Sequence, residues 1–65
     1  MIETFGINAG RVWSYLDENG RLHIREVKKA TKLTDKNLYA ALGWLAREGK
    51  IKLEEVDKDL FVELT

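Results

Sequence analysis

The run NLYAALGWLAREGKI, residues 37–51, carries two periodicities in succession. In its first part Leu38, Ala41, Leu42 and Leu45 recur at i, i+3, i+4 and i+7, the spacing of one apolar helix face. Thr34, just upstream, is a good N-cap, because its hydroxyl can accept a bond from an otherwise orphaned helix N–H. Leu33 before that cap and Leu38 at the fourth helical position make a hydrophobic staple, which sets how the chain enters the helix. Gly49 ends the helix, since glycine tolerates the left-handed conformation needed there. Beyond it the period falls to two. Ile51 and Leu53 alternate with Lys50, Lys52 and Glu54, which predicts a strand.

The same devices recur upstream. Ala9, Val12, Trp13 and Leu16 predict a first helix, with Asn8 as N-cap and Ile7 and Val12 as its staple. Asn19-Gly20 stops it, and Trp13 is expected in the core. Ile24, Val27 and Ala30 predict a short second helix. His23 is a poorer cap, but Leu22 and Val27 sit at the staple offsets and Glu26 at the third helical position. Thr31-Lys32-Leu33 then makes a tight turn into Thr34. Downstream, Leu60, Val62 and Leu64 alternate with Phe61 and Glu63, and Val56-Asp57-Lys58-Asp59 is the expected hairpin turn. Arg21-Leu22-His23 could add a short third strand.

Helix, short strand, helix, turn, helix and two strands make an α+β winged helix-turn-helix. Three helices would pack against a small antiparallel β-hairpin wing, as a single domain over residues 1–65. So short a chain buries a small core and is marginal alone. It has no cysteine, which excludes disulfides and thiolate metal sites, and its one histidine does not make a zinc centre. Helix packing or self-association must supply the stability, and no cofactor is expected. No segment is apolar enough to span a membrane, and MIETFGINAG does not read as a signal peptide. The expected location is the cytoplasm.

ALGWLAREGKI, Ala41 to Ile51, together with the preceding REVKKATKLTDKNLYA, resembles a small prokaryotic winged helix-turn-helix domain family of unknown function. The resemblance covers nearly the whole chain. It implies the same fold and, by analogy with other helix-turn-helix domains, a DNA-binding or transcription-regulating role.

Net charge is zero, but the charge is unevenly placed. Arg21, Arg25, Lys28, Lys29, Lys32 and Lys36 face only Glu26 and Asp35 within residues 21–36. The second helix of such motifs often crosses the phosphate backbone, which makes Arg25, Lys28, Lys29 and Lys32 candidate phosphate contacts. On the third helix the side opposite the leucines holds Lys36, Ala40, Gly43 and Arg47, with Asn37, Tyr39 and Trp44 on the flanks. Lys36, Asn37 and Arg47 are candidate base-edge readers, and Tyr39 could reach a phosphate. The wing argues the other way. Glu54, Glu55, Asp57 and Asp59 crowd it against Lys58, and acids are repelled by DNA.

Gly43 lies mid-helix, where glycine costs roughly 1 kcal/mol relative to alanine. A close approach by the wing, by a second subunit or by DNA would account for it. Trp44 beside it packs under the wing against Phe61, or else anchors a protein interface, where tryptophan is enriched. Tyr39, Gly43 and Trp44 are therefore candidate interface residues. No nucleophile–base pair, metal-ligand cluster or phosphate loop is present, so neither an enzyme nor a small-molecule substrate is expected. Two functions stay open: a regulator that binds double-stranded DNA, or a homodimerisation module on the same scaffold.

Overall fold

The computed structural model describes residues 2–65, in the order α1 (Ile2–Asn19), β1 (Leu22–His23), α2 (Ile24–Thr31), α3 (Asp35–Arg47), β2 (Ile51–Val56) and β3 (Asp59–Leu64). The strands form one antiparallel sheet in the order β1-β3-β2. This is the expected winged helix-turn-helix, with the short third strand present: Leu22 pairs with Val62 and His23 with Phe61.

Local chemistry sets most of the boundaries. Thr34 is extended, and its Oγ1 accepts from the Asn37 N–H at 3.2 Å, which caps α3. α3 closes in a Schellman motif. The Gly49 N–H donates to the Ala46 carbonyl at 3.0 Å and the Lys50 N–H to that of Leu45 at 2.9 Å, with Gly49 at φ 71°. His23 caps α2, its Nδ1 accepting from the Arg25 N–H at 3.0 Å. α2 ends on Lys32 in the left-handed region, φ 58°, its N–H donating to the Lys28 carbonyl at 2.9 Å. The wing turns on Asp57 and Lys58, with φ 50° and 71°. Two successive positive φ angles in a two-residue loop make a type I′ turn, whose hand matches the strand twist.

Three expectations need correction. Asn8 does not start α1, which already runs from Ile2. Asn8 is 6% exposed and shares the inward stripe with Ala9, Val12 and Leu16, while Ile7, read as half of a staple, is 66% exposed. A polar residue on a buried stripe had the appearance of a cap. Trp13 is not core: Val12 takes the centre of the stripe, and Trp13, about 100° further round the helix, remains 38% exposed. In α2 the third buried residue is Thr31, and Ala30 is exposed. The Thr31 hydroxyl donates to the Val27 carbonyl at 2.8 Å, which lets it be buried at little cost.

The core lies between the helices and the inner face of the sheet. Among the described residues, Val12 and Leu16 of α1, Val27 of α2, Leu38 and Leu42 of α3 and Val62 of β3 are its largest fully buried members. From β2 only Ile51 is buried; Leu53 and Val56 are exposed as the hairpin runs out past the helices. Arg11 of α1 donates to the Thr31 carbonyl at the end of α2, meeting one of the orphan acceptors there. Thr65 closes the hairpin base, its N–H on the Lys50 carbonyl at 3.1 Å and its hydroxyl on that of Gly49 at 2.8 Å.

Candidate nucleic-acid interface

α3 presents a stripe at i, i+4, i+7 and i+11: Lys36, Ala40, Gly43 and Arg47. At 1.5 Å per residue it is about 16 Å long, with a cation at each end and a low centre. Lys36, Gly43 and Arg47 are exposed and Ala40 is half-buried. A Cβ built on Gly43 meets no atom within 4 Å. The wing of the same chain therefore does not press on Gly43, contrary to one of the readings of that glycine. Tyr39, 52% exposed, stands on one flank. Asn37, half-buried, lies on the other, and its backbone N–H serves the Thr34 cap.

The basic residues around α2 divide into two groups. Arg25 lies 3.8 Å from the Asp59 carboxylate of the wing, and the Lys28 Nζ lies 2.7 Å from the Asp35 carboxylate at the start of α3. Both pairs are well exposed, so each contributes at most about 1 kcal/mol. Lys29, Lys32, Lys36 and Arg47 form no ion pair among the described residues. All four are exposed.

The acids of the wing are also partly engaged. Glu54 pairs with Arg21, whose guanidinium carbon lies 4.8 Å from the centroid of the Phe61 ring. Asp59 accepts from His23 Nε2 at 3.0 Å. Because a backbone N–H donates to Nδ1, the ring proton must sit on Nε2 and point at Asp59. His23 thus joins the start of α2 to the start of β3. Phe61 packs edge-on against His23, with centroids 5.3 Å apart and planes at 78°. Glu55 and Asp57 have no ion-pair partner among the described residues. The His23–Asp59 contact, 36 residues apart in sequence, had no signal beyond His23 as a cap.

Trp44 is not packed on Phe61, whose ring contacts among the described residues are with His23 and Arg21. Trp44 lies on the flank of α3 that faces α1. With Trp13, Gly6, Gly10 and Ser14 it lines a cleft of about 390 Å³ between the two helices. Both tryptophans are 38% exposed. Among the described residues no three His, Asp or Glu side chains gather as a metal site, and no helix is long and apolar enough to cross a membrane.

Comparison with known proteins agrees with this architecture. No curated protein matches the chain. The solution NMR structure of protein BT2368 from Bacteroides thetaiotaomicron is similar, with a TM-score of 0.86 and 32% identity over 95% of this chain and 76% of that one. The crystal structure of the transcriptional regulator PA4135 shares the fold, with a TM-score of 0.81 at 20% identity over 89% of this chain and 45% of that one. Residues 2–64 match the family model described as "Winged helix-turn-helix domain (DUF2582)". The chain belongs to this DUF2582 family of winged helix-turn-helix domains.

Proposed function

We propose that the domain binds duplex DNA through α3, in the manner of a transcription-regulating helix-turn-helix. One observation carries this reading: the stripe Lys36–Ala40–Gly43–Arg47 is uncovered, and at Gly43 it is low enough for the helix backbone to come close to a groove floor. The major groove, about 12 Å wide, admits a helix of this kind. Lys36, Asn37 and Arg47 would face base edges, Ala40 could touch a thymine methyl, and Tyr39 would reach the backbone. Lys29 and Lys32 would hold phosphates. Arg25 and Lys28 would join them by exchanging their weak exposed ion pairs for phosphate. PA4135, a transcriptional regulator of the same fold, agrees with this reading.

The wing would contribute little. Arg21, His23 and Arg25 offset two of its acids, while Glu55 and Asp57 oppose phosphate. Contact therefore centres on α3 and the end of α2. Amide spectra recorded during a titration with duplex DNA at low salt test this: shifts should concentrate at residues 29–47 and spare the wing tip. Unchanged spectra would remove the basis of the reading.

A second reading, a homodimerisation module using Tyr39, Gly43 and Trp44, gains support from the two half-exposed tryptophans around one cleft. The two readings are compatible, because small domains commonly gain buried area by pairing symmetrically.

A further inference from the structure

We infer that a second copy of this chain docks along the outer face of α1 and into the adjoining cleft between α1 and α3. This rests on the homodimer reading but moves the contact off Tyr39 and Gly43, leaving the outward stripe of α3 open.

The cleft sets an apolar side chain on each wall, Trp13 from α1 and Trp44 from α3, with Glu48 and Lys50 also among its lining. Its α1 edge is the low ridge Gly6, Gly10 and Ser14, spaced at four residues, and a Cβ on either glycine would meet nothing within 4 Å. Beyond the ridge stands Ile7, 66% exposed, the most exposed large apolar side chain among the described residues. It lines a second groove, of about 540 Å³, between α1 and α2. Two glycines inside a helix weaken it, and no close contact among the described residues requires them. Two tryptophans and an isoleucine around them form a surface that water does not favour.

Area and charge suit a second copy as its cover. A folded monomer of this mass exposes about 4,250 Å² by surface scaling. This chain exposes 4645 Å². The excess of roughly 400 Å² is about half of what each partner contributes to a standard interface. Net charge is zero, so two copies do not repel as a whole.

The pattern is also its own complement. Around Gly10 the small residues Gly6 and Ser14 and the large ones Ile7 and Trp13 lie at equal distances in sequence. An antiparallel crossing of two α1 helices at Gly10 sets the two Gly10 residues face to face, with Trp13 of each copy beside Gly6 of the other and Ile7 beside Ser14, large against small. That is the isologous contact a two-fold axis requires.

Sedimentation over about 1 μM to 1 mM, the range of weak to moderate affinities, tests the inference. The wild-type chain should pair, with a blue shift of its tryptophan emission. Gly10→Leu should weaken pairing at least about 100-fold while keeping its helical circular dichroism, because leucine is a better helix former and has room in the single chain. Gly43→Leu should pair like wild type. If Gly10→Leu pairs as tightly as wild type, or Gly43→Leu alone fails to pair, the dimer uses another face and the inference is overturned, while the homodimer reading stands. A wild-type chain that is monomeric throughout the range overturns both.

Discussion

Replacing Gly43 by alanine separates the reasons for having a glycine in the middle of α3. The free chain should become more stable, because alanine is favoured over glycine in a helix interior by about 0.8–1.0 kcal/mol. Nothing offsets that gain, since the added methyl enters open space. Unfolding entropy is roughly 2.1 cal/mol/K per residue, so over 65 residues a gain of about 1 kcal/mol raises Tm by about 7 °C. Thermal melts followed by circular dichroism, at one fixed protein concentration, read this directly. In the same variant DNA affinity should fall, because the methyl stands at the lowest point of the stripe that approaches the groove. A lower Tm would refute the reasoning at its first step, for it would mean that some part of the chain packs on Gly43. A higher Tm with unchanged DNA affinity would refute the second step and place Gly43 away from the DNA.

Other outcomes follow from the caps and turns. Thr34→Ala removes the acceptor of the Asn37 N–H and should cost about 1 kcal/mol, seen as a lower urea midpoint with an unchanged slope. Lys58→Gly relieves a non-glycine residue at φ 71° and should stabilise the hairpin by about 0.5–1 kcal/mol in the same assay; a loss would contradict the type I′ turn. Nitrogen shifts of the His23 ring should show the proton on Nε2 in the neutral form. His23→Ala removes the Nδ1 acceptor, so the Arg25 amide should shift and lose exchange protection in that variant. An Arg25 amide indifferent to that substitution would contradict the cap.

The fold was legible where its determinants are local. Leu33, Thr34 and Leu38 announce the start of α3, and Gly49 its end, because a cap, a staple and a left-handed terminus each need only neighbours in sequence. The alternation at Leu60, Val62 and Leu64 announces β3 in the same way. Asn8 misled because an asparagine that starts a helix and one buried within it look alike until the partner helices are in place. Trp13 and Trp44 misled for a related reason. Periodicity says which side of a helix is apolar, but not which edge of that side a neighbour leaves open. The basic set was visible as a set. That Arg25 goes to Asp59 and Lys28 to Asp35 depends on how the wing and α3 fold back on α2, and leaves Lys29, Lys32, Lys36 and Arg47 for an outside partner.

The salt dependence of DNA affinity tests the central claim most directly. The four phosphate contacts Arg25, Lys28, Lys29 and Lys32 predict a slope of log K against log salt of about −3.6 per chain, falling to about −1.8 when Lys29 and Lys32 are both replaced by alanine. Anisotropy of a labelled duplex, measured for both chains over a salt series, reads the two slopes. A flat slope, or one that the double substitution leaves unchanged, would contradict a DNA contact centred on α3 and the end of α2.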